Sequence, residues 1–241
     1  MTEQEKYFVI RPIFGEYNLD KNDFPIIKKE SVSFDEINNL KIVNYQNRNN
    51  KKLKSTNKSL LTMFCYDDIL NRIWNNPLKD IVSFQKFKFI TTPDFSIYPK
   101  MNSNDIKHNV YMNRWLGVTY QTLGLKVFPT IQCGDESTYG YCFSAVEKES
   151  IVVISTLGCK KDINTFLNGF NEMKKIIEPK IIIVYGDMIK GMSGKFINFK
   201  YEEAFIKKNQ NEQISLWNNN GIFEISEKGE IKWEAEELLL T

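Results

Sequence analysis

Short apolar runs rich in β-branched and aromatic residues alternate along the chain with segments of helical periodicity. The runs are residues 61–65, 87–92, 126–131, 151–155 and 181–185. Two of them, Ile151-Val152-Val153-Ile154 and Ile181-Ile182-Ile183-Val184, are apolar at consecutive positions. A strand without a polar side has both faces covered, which is the condition of a parallel sheet flanked by helices. The segments between the runs supply those helices. Residues 67–74 and 78–84 read as helical with a break at Pro77, and residues 104–123 as a long helix stopped by Gly124. Residues 162–177 carry Ile163, Phe166, Leu167, Phe170, Met173 and Ile177 on one stripe, with Pro179 beyond the end. Repeated βα units follow. The link over residues 134–149 is close to the minimum of about a dozen residues for a parallel crossover.

Outside this region the pattern is looser. Upstream lie a strand-like run over 7–13, a short helix over 34–40 behind the capping candidate Ser33, and the polar, basic, aperiodic stretch 44–59, NYQNRNNKKLKSTNKS, which reads as a linker. The expected organisation is an N-terminal lead-in with basic linker over 1–59 and an α/β domain with a C-terminal extension over 60–241. Order also weakens after Gly186, until FEISEKGEIKWE at 223–234 gives two alternating runs about Gly229, a β-hairpin. The expected fold is α/β, a mainly parallel sheet of about five strands flanked by helices. The first expectation is an open three-layer sheet, with a partial or degenerate β/α barrel as the alternative, and strand order separates the two.

Composition narrows the function classes. With 241 residues, 42% of them hydrophobic, the chain can bury a large core. Lys plus Arg at 32 against Asp plus Glu at 30 leaves +2, which excludes a general polycation and leaves only local basic patches, such as Lys51, Lys52, Lys54 and Lys58 with the 190–208 region. No window approaches the roughly 18 consecutive apolar residues of a membrane span, and the polar start is unlike a signal peptide. A cytoplasmic protein without membrane contact is expected. Cys65, Cys133, Cys142 and Cys159 form no C-x-x-C pair and read as reduced thiols; with His108 as the single histidine, no metal site is expected.

In a parallel α/β sheet every strand delivers its C-terminal end to one edge, where ligands bind. The residues collected there are Tyr66, Asp67, Asp68, Thr91, Thr92, Asp94, Ser96, Thr130, Gln132, Asp135, Glu136, Ser155, Thr156, Tyr185 and Asp187. Asp94, in TTPDFS, stands immediately beyond a buried strand, as a general base or ligand holder; Asp135 and Glu136, in CGDES, offer the second acidic group. On the long helix Arg114 can clamp an anion with Asn113 beside it, or form a structural pair, and Gly117 permits close approach of a neighbour. Residues 186–191 have the glycine spacing of a P-loop, but Met192 replaces its lysine. No G-x-G-x-x-G or G-x-S-x-G occurs, so the cofactor is unknown.

The ordered set TTPDFSIY, NVYMNRWLGVTYQTLGLKVFPTI, CGDESTYGYCF, SIVVISTLG, FLNGFNEM and PKIIIVYG resembles the family catalogued as Domain of Unknown Function 4417, over about residues 61–195. The resemblance implies a compact α/β domain and a phage or mobile-element context, and it brings no established reaction. It marks Asp94, Ser96, Asn113, Arg114, Gln121, Asp135, Ser137, Ser155, Thr156, Tyr185 and Gly186. Cys133 stands where an aromatic residue is frequent, and 192–195 is a reduced form of a more Gly- and Arg-rich loop.

The sequence thus leads to two readings. The first is an enzyme with a carboxylate-based site at Asp94, Asp135 and Glu136, acting on a phosphate-, sugar- or base-containing substrate. Ser96, Asn113, Arg114, Ser137, Ser155, Thr156, Tyr185 and Gly186 would bind this small-molecule or nucleotide-like ligand. The second is a non-catalytic module for nucleic acid or a protein partner, built on the lysine-rich surface.

Overall fold

The structure, a computed structural model, describes residues 11–13, 15–53, 55–204 and 221–233. The strand expected over 7–13 lies largely, and Lys54, Lys207 and Lys208 wholly, outside these. Among the described residues the first helix, α1, is Phe34–Ile37, held by a reciprocal capping box in which Ser33 Oγ accepts the Glu36 N–H at 3.3 Å and Glu36 accepts the Ser33 N–H at 3.1 Å. It stops before the expected end because Asn38 is extended and Asn39 left-handed, at φ 58°.

Strands β1 (Lys41–Asn44), β2 (Ser59–Thr62), β3 (Phe89–Thr91) and β4 (Val127–Phe128) pair in parallel in chain order. So do β5 (Ile151–Ser155), β6 (Ile181–Tyr185) and β7 (Gly194–Phe199). A parallel bridge from Thr130 to Val153 joins β4 to β5, with Val153 donating to Pro129 O and Ile131 donating to Val153 O, both at 2.9 Å. The helices in the connections are α2 (Asp67–Asn75), α3 (Ile81–Phe84), α4 (Ser103–Thr122), α5 (Tyr139–Cys142) and α6 (Ile163–Ile177). The hairpin expected about Gly229 is present as β8 (Phe223–Ile225) and β9 (Ile231–Trp233), added antiparallel to the edge of β7.

The α/β class and the mainly parallel sheet are as the sequence implies, but the strand order departs from the open three-layer sheet expected first and follows its alternative. Sequential order is that of a β/α barrel, and the sheet curls accordingly. Phe64, just beyond β2, stacks on Tyr185 at the end of β6 with ring centroids 4.9 Å apart. Three strands separate β2 from β6, so a flat sheet would hold those rings about 19 Å apart at the usual strand spacing. The inward positions Ile42, Leu60, Phe89, Phe128, Val153, Ile183 and Ile197 accordingly form one interior cluster. The outward positions meet the helices, Leu61, Ile90 and Val127 against α2 to α4, and Val152, Ile154, Ile182 and Val184 against α5 and α6. This two-sided burial is why β5 and β6 are apolar at successive residues. The barrel is partial: β1 and β7 do not pair among the described residues, and the turn Tyr201–Ala204 following β7 rests on β1 instead.

Two parallel strands exceed the sequence expectation. β1 precedes the basic stretch 44–59, which therefore crosses from β1 to β2 within the sheet, through single turns at Tyr45–Asn47 and Thr56–Lys58. β7 follows β6 after residues 186–193 alone, with no helix between.

Candidate functional site

A cavity of about 740 Å³ opens at the C-terminal ends of β2 to β5. Asp94 reaches it because the chain leaves β3 through Pro93 and is pinned by the Asp94 N–H donating to Met63 O at 3.3 Å. Its Oδ1 accepts the Gln132 side-chain amide at 2.9 Å, and the same amide donates to Phe95 O, which fixes Gln132 beyond β4. No lysine or arginine pairs with Asp94 among the described residues. Burial, and then the nearby negative charge of Asp67, push the Asp94 carboxyl up to about 8. At neutral pH it is mainly a neutral acid. Asp67 is positioned at the start of α2 by accepting the Ser96 N–H at 3.1 Å.

The walls are apolar and aromatic, with Phe64, Ile131, Ile154, Phe166 and Phe170 among them. At the mouth stand Tyr66, Tyr98, Leu157 and Tyr201, which are 81%, 63%, 48% and 43% exposed. Four large apolar side chains left in solvent around one opening are a recognition feature rather than a packing one. Cys65, Cys133 and Cys159 also line the cavity. Burial raises all three thiols, Cys65 to about 11 and Cys133 to about 12, so they are protonated. Among the described residues no group of three or more His, Cys, Asp or Glu is arranged to hold a metal ion.

Of the residues singled out from the sequence, Tyr66, Asp94, Ser96, Gln132 and Ser155 line the cavity. Asp135 instead caps the turn Glu136–Thr138, accepting the Ser137 N–H at 3.1 Å and its hydroxyl at 2.5 Å. Asp135, Glu136 and Ser137 are exposed on that turn, outside the lining. Asn113 and Arg114 are buried behind the site. Asn113 donates to Pro93 O at 2.9 Å and Thr130 Oγ1 at 2.7 Å, while Arg114 donates to Ser144 O, Cys142 O and Asn113 Oδ1 at 3.1, 2.7 and 2.6 Å. Arg114 thus closes the C-terminal end of α5, and burial lowers it to about 10. Gln121 ties α4 to the Lys28 backbone. Tyr185 is interior, Thr156 is buried, and Gly186 sits at φ 120°, where a Cβ would lie 2.4 Å from Thr156 Oγ1.

The lining also contains residues that motif reading passed over. Gln46 follows β1, which is too short and too close to polar sequence to stand out. Tyr98 lies in TTPDFSIY, where an apolar residue after Pro-Asp is ordinary. Tyr201 follows the unexpected β7.

The chain is 29% identical over 135 residues to "Gene 1 protein" of Mycobacterium phage L5, covering 55% of this chain and 59% of that protein. It is 30% identical over 129 residues to "Gene 1 protein" of Mycobacterium phage D29, covering 52% and 48%. The chain therefore spans about half the length of the curated relatives it matches. No solved structure matches it. Residues 23–202 match a family model described as Domain of unknown function (DUF4417), and the chain belongs to that family.

Proposed function

We propose that this phage-type protein is an enzyme acting on a flat, base-containing small molecule, with Asp94 as the acid–base group. A single observation carries the reading: a carboxyl whose side-chain partner is a neutral amide, with no ion-pair partner among the described residues, lines a largely apolar cavity with tyrosine side chains at its mouth. Aromatic rings hold a planar base by stacking. A carboxyl titrating near neutrality gives and takes a proton with little penalty in either direction. Gln132 orients it, and Asp67 supplies the second carboxylate. Ser96 and Ser155 offer hydroxyls to the ligand.

The test is to incubate the purified protein with pooled nucleobases, nucleosides and nucleotides and to follow consumption by mass spectrometry, with Asp94→Asn in parallel. The expected result is turnover of a compound in the pool, reduced at least about 100-fold by Asp94→Asn while the fold is kept. Full activity in Asp94→Asn, or no consumption of any base-containing compound, contradicts the reading.

A further inference from the structure

Beside the main cavity lies a second one of about 440 Å³, lined by Tyr45, Gln46, Arg48, Ile69, Arg72, Asn76, Lys79 and Asp80. Gln46 lines both. Cys65, in the main cavity's lining, feels the charges of both Arg48 and Asp94. The second cavity is thus at the same end of the sheet, beyond β1 and against the last turn of α2.

Its lining holds three cations and one carboxylate. Asp80 is occupied: Arg48 Nη2 donates to both its oxygens at 3.0 Å, and the Tyr45 hydroxyl donates at 2.5 Å. Arg48 is held rigid, its guanidinium 3.9 Å over the Tyr45 ring, and its Nε is buried with no hydrogen-bond partner among the described residues. Lys79 has no ion-pair partner among them. Arg72 pairs only with exposed Asp68, at 3.2 Å, a contact that an incoming anion can displace at small cost. The C-terminus of α2 contributes about half a negative charge, which leaves the cavity net positive.

We propose that this second cavity is a phosphate subsite, so that the substrate class of the Asp94 site is a nucleotide, its base among the mouth aromatics and its phosphate against Arg48, Arg72 and Lys79. The substrate class rests on the base-site reading above; the anion subsite itself is tested separately. Guanidinium and ammonium groups converging on one depression suit a multiply charged oxyanion.

The probe is inorganic pyrophosphate, titrated by calorimetry against the full chain without divalent ions. Saturable binding is expected, weakened about tenfold or more in Arg72→Gln/Lys79→Gln. The control pair Lys51→Gln/Lys52→Gln removes the same charge from the exposed crossover and is expected to leave the affinity unchanged. Asp94→Asn is likewise expected to bind pyrophosphate normally while losing turnover of the base-containing compounds in the pool above, so failure of the base site and failure of the phosphate subsite appear on different probes. No pyrophosphate binding, or equal weakening by both pairs, overturns the inference.

Discussion

Asp94 and Arg114 meet burial in opposite ways. Arg114 keeps its charge by donating to two backbone carbonyls and a side-chain amide oxygen. Asp94 has one neutral donor and gives up its charge. The consequence for Asp94 is a stability that depends on pH with a definite sign. Its folded value, about 8, is above the ordinary carboxyl value, so between those limits the folded chain holds more protons than the unfolded one and stability falls as pH rises. Each pH step from about 4 to 8 costs up to about 1.4 kcal/mol. Asp94→Asn is expected to abolish that dependence and to be more stable than the wild type at pH 8, with the difference vanishing toward pH 4; urea denaturation across this range measures it. Arg114→Met is expected to cost about 3 kcal/mol, because it strands the carbonyls of Cys142 and Ser144. A near-neutral result would assign Arg114 to ligand binding instead of to the frame. In the sequence Asp94 was legible because Pro-Asp after an apolar run marks a strand exit. The framing role of Arg114 was not, because nothing in its neighbours shows that the carbonyls it meets come from the chain thirty residues on.

At the scale of elements, the strands covered on both faces were legible and the marginal ones were not. β5 and β6 coincide with their apolar runs, because no helix or one-sided strand demands apolar residues at every position. β1 was hidden by its length and by the polar crossover that follows. β7 was hidden because the connection from β6 is shorter than a helical crossover, so the expectation that each parallel strand follows a helix failed there. The close approach expected at Gly117 is present: a Cβ there would lie 2.6 Å from Ile27 Cδ1 and 2.8 Å from Thr92 Cγ2. Gly117→Ala is expected to cost about 1–3 kcal/mol by forcing α4 off the lead-in segment and β3. Gly186→Ala combines a left-handed backbone with a 2.4 Å approach to Thr156 Oγ1, and is expected to lower the melting temperature more than Gly117→Ala does. Thermal unfolding of the two variants side by side checks the order.

At the scale of the molecule, the curl of the sheet determines what the site can be. Parallel strands alone place Asp94, Ser96 and Ser155 at one end; the curl wraps that end around the main cavity and brings Tyr201, beyond β7, to the same mouth as Tyr66, beyond β2. Sequence reading supplies the common end but not the curl, since the periodicity of a strand is the same in an open sheet and in a barrel. The exposed turn of Asp135 shows the reverse case, in which a polar strand-end residue is spent on capping. The central claim is that the barrel mouth desolvates Asp94 into a neutral acid poised for proton transfer. Carbon-13 NMR titration of the aspartate carboxyls, with Asp94→Asn assigning the resonance, tests it most directly. A midpoint near 8 is the expected result, and a midpoint near the ordinary value of about 4 would contradict it.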